Sequence, residues 1–172
     1  MKDTLEKLSK ELSDIKIPSK LTEEGDMLTL LLPEGIAGPD VYGYVFYVPL
    51  SEDDDENGYW MLSFDLSDTS KLDEDEWQKL ASAVSMINPV LYAGGYALTG
   101  YTPATETKPE TKNLIYRLSL PIAFKPEKEW LLQELMHSIK VSAAVLKKSA
   151  PLLLDVAEGK ISMKELLETV YS

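Results

Sequence analysis

Asp53, Asp55, Asn57 and Gly58 stand at the spacing D-x-D-x-N-G, the opening half of an EF-hand calcium loop. Such a loop needs oxygen ligands at positions 1, 3 and 5, glycine at 6 and a bidentate glutamate at 12. Position 12 is Phe64, whose side chain has no oxygen. Asp65 comes one residue late, and on a strand that step turns the side chain to the other face. The flanks read as strands, whereas a calcium loop sits between helices. Asn57-Gly58 therefore reads as the turn of a charged hairpin, because both residues tolerate positive φ. The alternative keeps Asp53, Asp55 and Asn57 as ligands of a divalent cation in a carboxylate-based enzyme.

Other chemistry is sparse. His137 is the sole histidine and lies opposite the apolar stripe of a long helical stretch, with Glu134 three residues back. A lone histidine catalyses only beside a nucleophile or metal, so it reads as a surface residue. There are no cysteines, which removes disulfides, thiolate nucleophiles and thiolate metal sites. No nucleophile elbow, zinc-protease, Walker A or dinucleotide motif occurs. Gly94-Gly95 lies within a strand pattern and predicts a bulge or a close backbone approach. The sequence assigns no catalytic residue and no cofactor.

The net charge is −12, and residues 51–76, with eleven acids and one lysine, hold −10 of it. Such a balance disfavours nucleic acid, whose binding needs Lys and Arg to neutralise phosphates, and anionic membranes likewise. The acidic run reads as a solubility device or as an attractor of a basic partner. The first residues are charged throughout, unlike a secretory signal, and no apolar run approaches a membrane span. A cytoplasmic location is expected.

The elements that must position these residues follow from periodicity. Leu5, Leu8, Leu12 and Ile15 mark a first helix before Pro18. Residues 26–33, 41–49 and 59–67 read as three consecutive strands, an antiparallel meander. Asp73 and Glu76 form a variant capping box opening a helix along Trp77, Leu80, Val84 and Ile87, stopped by Asn88-Pro89. Residues 91–101 and 113–124 read as two more strands, with a Thr/Pro-rich loop over 102–112. A long helix follows with its stripe on Leu132, Leu135, Ile139, Ser142 and Leu146, broken or restarted at Pro151. Ser162-Met163-Lys164-Glu165 caps a final helix. The expectation is a single α+β domain over 1–172. It has an antiparallel sheet of about five strands, helices on one face and the order α-β-β-β-α-β-β-α plus a C-terminal helix.

The strand at 41–48 is apolar on both sides. Tyr42, Tyr44, Phe46 and Val48 alternate with Val41, Gly43, Val45 and Tyr47. A sheet covered on one side needs one such face. The second predicts either a strand buried on both sides or a partner-binding surface at Tyr42, Tyr44 and Phe46.

This element order resembles the fold of type III secretion chaperones and the YbjN-like family. The resemblance covers about residues 1–158, with a second helix ending in Ile87-Asn88 and a strand reading Leu114-Ile115-Tyr116-Arg117-Leu118 before the long helix. It implies no catalysis. It implies a homodimeric binding module that holds a segment of a protein partner on apolar strand surfaces. A stand-alone regulatory domain is the remaining alternative.

Overall fold

The computed structural model describes residues 1–32, 41–51, 54–69, 71–91, 93–102, 111–122 and 127–171. Strand patterning dictates the sheet. In β2 (Met27–Leu32) residues alternate between half-buried and buried, the signature of one covered face. β3 (Val41–Ser51) and β4 (Asp54–Asp68) form a long hairpin, and β5 (Gly95–Thr102) and β6 (Thr111–Ile122) a second. A three-residue strand, β1 (Ser19–Leu21), joins the five expected strands at one edge. All pairings are antiparallel, in the order β1-β2-β3-β4-β6-β5. β1 is too short to carry a visible alternation, which is why periodicity does not reveal it.

The helices are α1 (Lys2–Asp14), α2 (Glu74–Ile87), α3 (Lys128–Ala157) and α4 (Met163–Tyr171), with a 3-10 turn at Asn88–Val90. Leu5, Leu8 and Leu12 of α1 are fully buried. Ile15, expected on the same stripe, is exposed, because the helix ends at Asp14 and Lys16 turns with φ 63°. Both capping boxes form. Asp73 Oδ1 accepts from Glu76 N–H at 2.9 Å while Asp73 N–H donates to the Glu76 carboxylate at 3.0 Å. Ser162 and Glu165 exchange the same pair of bonds.

α3 differs from its expected break. It runs 30 residues with Pro151 inside. A proline in a helix interior costs about 3 kcal/mol. Beyond it α3 buries Leu153, Val156 and Ala157, and each large aliphatic side chain returns about 1.5–3 kcal/mol. Packing outweighs the lost hydrogen bond, so the helix continues.

One apolar core lies between the helices and the inner face of the sheet. Leu28, Leu30, Val45, Leu62, Phe64, Leu114 and Tyr116 meet Leu8, Leu80, Leu135, Leu146 and Leu153 there. Phe64 and Tyr116 are paired across β4 and β6, their rings 6.3 Å apart. Among the described residues, no helix is long and apolar enough to cross a membrane.

Candidate functional site

The expected turn at Asn57-Gly58 is not the turn of the hairpin. Ser51 pairs with Asp54, so the chain reverses between them, and Gly58 sits within β4 opposite Pro49. A Cβ on Gly58 would collide with the Tyr47 ring and the Val48 carbonyl. The glycine answers a close approach, and the long β3–β4 ladder carries pairing past the N-G turn signal. Asp53 falls outside the described residues, as does the side chain of Asp55, and Asn57 is exposed. Among the described residues no group of three His, Asp or Glu side chains could hold a metal ion.

The acidic run, single in sequence, is divided in space. Asp54-Asp55-Glu56 opens β4 at the hairpin end, whereas Asp65, Asp68 and the α2 cap lie at its other end. At about 3.3 Å per residue, β4 separates the two groups by roughly 40 Å.

Tyr42, Tyr44 and Phe46 lie on the outer face of the sheet. The register puts Tyr42 between Leu31 and Asp65, Tyr44 between Thr29 and Ser63, and Phe46 between Met27 and Met61. Directly opposite residues have Cβ atoms about 4.5–5.5 Å apart. The face thus carries apolar and aromatic residues across β2, β3 and β4, with Thr29, Ser63 and Asp65 set among them. Tyr42 is 52% exposed, while Tyr44, Phe46, Met27, Leu31 and Met61 are half-buried. Ile115 continues the Tyr42–Asp65 row onto β6. It is 3% exposed, yet it stands apart from the residues of the main core. Burial, with the nearby Asp65 carboxylate second, raises the Tyr44 phenol above its usual range. Asp65 is therefore the carboxylate that faces the Tyr44 phenol.

Sequence reasoning missed Met27, Leu31 and Met61. The run Leu30-Leu31-Leu32 was the available signal, since a strand with one covered face has no need of an apolar residue at Leu31. Met61 falls in the polar half of its strand's alternation, and only cross-strand register brings it to Phe46.

A depression of about 210 Å³ adjoins Tyr42, lined by Pro18, Ser19, Lys20, Thr29 and Leu31. Pockets for drug-sized ligands begin near 300 Å³, so it suits a single large side chain. A second hollow of about 250 Å³ lies between α3 and α4, lined by Val90, Leu91, Val145, Lys148, Ser149 and Val170. Lys148 Nζ donates to the Val170 carbonyl at 3.3 Å.

Behind that hollow is a buried polar chain. Ser149 Oγ donates to the Val145 carbonyl at 2.7 Å. Its proton is thus committed, so Tyr96 donates the 2.6 Å bond between Tyr96 Oη and Ser149 Oγ. Burial pushes the Tyr96 phenol far up, against the lowering effect of Ser149. Tyr116 stacks edge-on to Tyr96 at 5.3 Å and donates to the Ala93 carbonyl at 2.7 Å. Gly94, with φ 63°, lets the backbone pass under the Tyr116 hydroxyl, where a Cβ would clash. This is the close approach expected at Gly94-Gly95. His137 is exposed, and twelve residues of helix place it about 18 Å along the axis from Ser149. The arrangement locks β5 to α3 and brings no base to a nucleophile.

No family model matches the chain, and no curated protein matches it. Among solved structures, the chain is similar to a crystal structure of YbjN from E. coli, at 14% sequence identity and a TM-score of 0.48, covering 91% of this chain and 93% of that one.

Proposed function

We propose that the chain is a non-enzymatic protein-binding module that holds an apolar segment of a partner protein on the outer face of its sheet, at Tyr42, Tyr44 and Phe46. The observation that carries this reading is an apolar and aromatic surface that no described helix covers. Three neighbouring strands present Leu31, Tyr42, Phe46 and Met61 outward, and the helices that cover the sheet pack with the main core on the opposite face. Exposed apolar patches rimmed by polar residues mark interaction surfaces. The resemblance in element order to secretion chaperones, which hold partners on apolar strand surfaces, agrees with it.

The test is retention of a partner from native lysate by the tagged full chain, beside a Tyr42→Lys/Phe46→Asp variant. Both positions lie off the core, so circular dichroism and melting should show the variant folded. The expected result is one protein held at fixed stoichiometry by the parent chain and lost from the variant. Equal retention by both, or none by either, overturns the reading.

A further inference from the structure

Resting on that reading, we infer that the occupant of the outer face is an amphipathic helix with basic residues at one end, lying along β3 with that end over the β1–β2 and β3–β4 hairpins. Three independent features of the molecule select it.

The edges argue against an added strand. At the β5 edge, Tyr96 N–H donates to Asn88 Oδ1 at 2.8 Å and Asn88 Nδ2 donates to the Tyr96 carbonyl at 2.9 Å. The carboxamide occupies the place where an incoming strand would pair. At the other edge, β1 offers three residues. Short or side-chain-blocked edges resist strand addition, which leaves the face.

The face has helix dimensions. From Tyr42 to Val48 is about 20 Å at roughly 3.3 Å per residue. A helix of about 13 residues spans that length. Its diameter of about 10 Å covers two strand spacings of roughly 4.8 Å, hence β3 and its neighbours β2 and β4. The depression beside Tyr42 would take one large apolar side chain at the far end of such a helix.

The charge chooses the polarity. Met27 pairs with Phe46, so the β1–β2 turn reaches the same end of the face as the β3–β4 hairpin. That turn carries Glu23, Glu24 and Asp26, all exposed. Asp54-Asp55-Glu56 enters β4 at the same end. A basic helix end is attracted there. A second copy of a chain with net charge −12 would bring like charge to like, which is destabilising at short range.

The probe is a labelled amphipathic peptide of about 18 residues, roughly 27 Å as a helix, with Leu and Phe on one face and lysines at one end. Its counterpart carries glutamates at that end. Binding to the full chain is read by fluorescence anisotropy. The lysine peptide should bind at least about tenfold tighter than the glutamate peptide, and the preference should shrink with added salt. Glu23→Lys/Glu24→Lys should remove most of the preference, and Phe46→Asp should weaken both peptides. Equal binding of the two peptides overturns the basic occupant while leaving the protein-binding reading intact. Binding of neither, with a lysate partner still retained, overturns the helix. A dimer that Phe46→Asp converts to a monomer in analytical ultracentrifugation assigns the face to a second copy and overturns the inference as well.

Discussion

The two faces of this sheet are built from the same strands and from much the same residue types, yet they do different work. On the inner face Leu62, Phe64 and Tyr116 are fully buried in the core between sheet and helices. On the outer face, one residue along, Tyr44, Phe46 and Met61 remain half-exposed. The inner face converts hydrophobicity into stability. The outer face holds apolar area that contributes little to folding and remains available for association. The difference teaches that apolar composition does not say which face is core. Helix placement does.

The largest effect should separate the faces by stability. Phe64→Ala should cost about 3–5 kcal/mol, as for other buried phenylalanines. Phe46→Ala should cost less than about 1 kcal/mol. Urea unfolding of the two variants measures both, and equal losses would break the distinction.

The next effect compares phenols across the sheet. Tyr96 and Tyr44 both have values raised above the ordinary 10.0, first by burial. In the window above pH 10, the unfolded chain releases these protons and the folded chain keeps them. Stability is therefore full below pH 10 and falls as pH rises through the window. Tyr96→Phe should remove much of that alkaline slope, and Tyr44→Phe a smaller part, since Tyr96 is the more deeply buried. At pH 7 Tyr96→Phe should also lose about 1 kcal/mol for its hydrogen bond to Ser149. Urea midpoints between pH 7 and 11 test both statements, and a larger slope change for Tyr44→Phe would reverse the ranking.

The smallest effect has the opposite sign. Ser142 Oγ is buried on α3 and has no hydrogen-bond partner among the described residues. Ser142→Ala removes an unsatisfied group and exchanges serine for the best helix former. A gain of a few tenths to about 1 kcal/mol in thermal unfolding is expected, and a loss would show that the hydroxyl is satisfied in solution.

Much of the inner face was legible from periodicity, because burial on one side imposes a period of two on strands and of 3.6 on helices. Trp60, Leu62, Phe64 and Leu66 announced β4, and Leu80, Val84 and Ile87 announced α2. The caps at Asp73 and Ser162 were legible because a capping box is a contact between residues three apart. The candidate surface was half legible. Tyr42, Tyr44 and Phe46 stood out as a second apolar face of one strand, but Met27, Leu31 and Met61 join them through pairing between strands.

The sequence by itself determined the types and order of every helix and of the five longer strands, and the α+β class, since these rest on local periodicity and on contacts within a few residues. Tertiary structure decided what depends on distant partners. It carried α3 through Pro151, because burial of Leu153 and Val156 exceeds the cost of the proline. It set the β3–β4 reversal ahead of Asn57-Gly58, because the ladder continues to Ser51 and Asp54. It split one acidic run between the two ends of β4. It also put the described helices on the face of β3 opposite Tyr42, Tyr44 and Phe46, because which side of a sheet the helices cover is a property of packing across the whole chain.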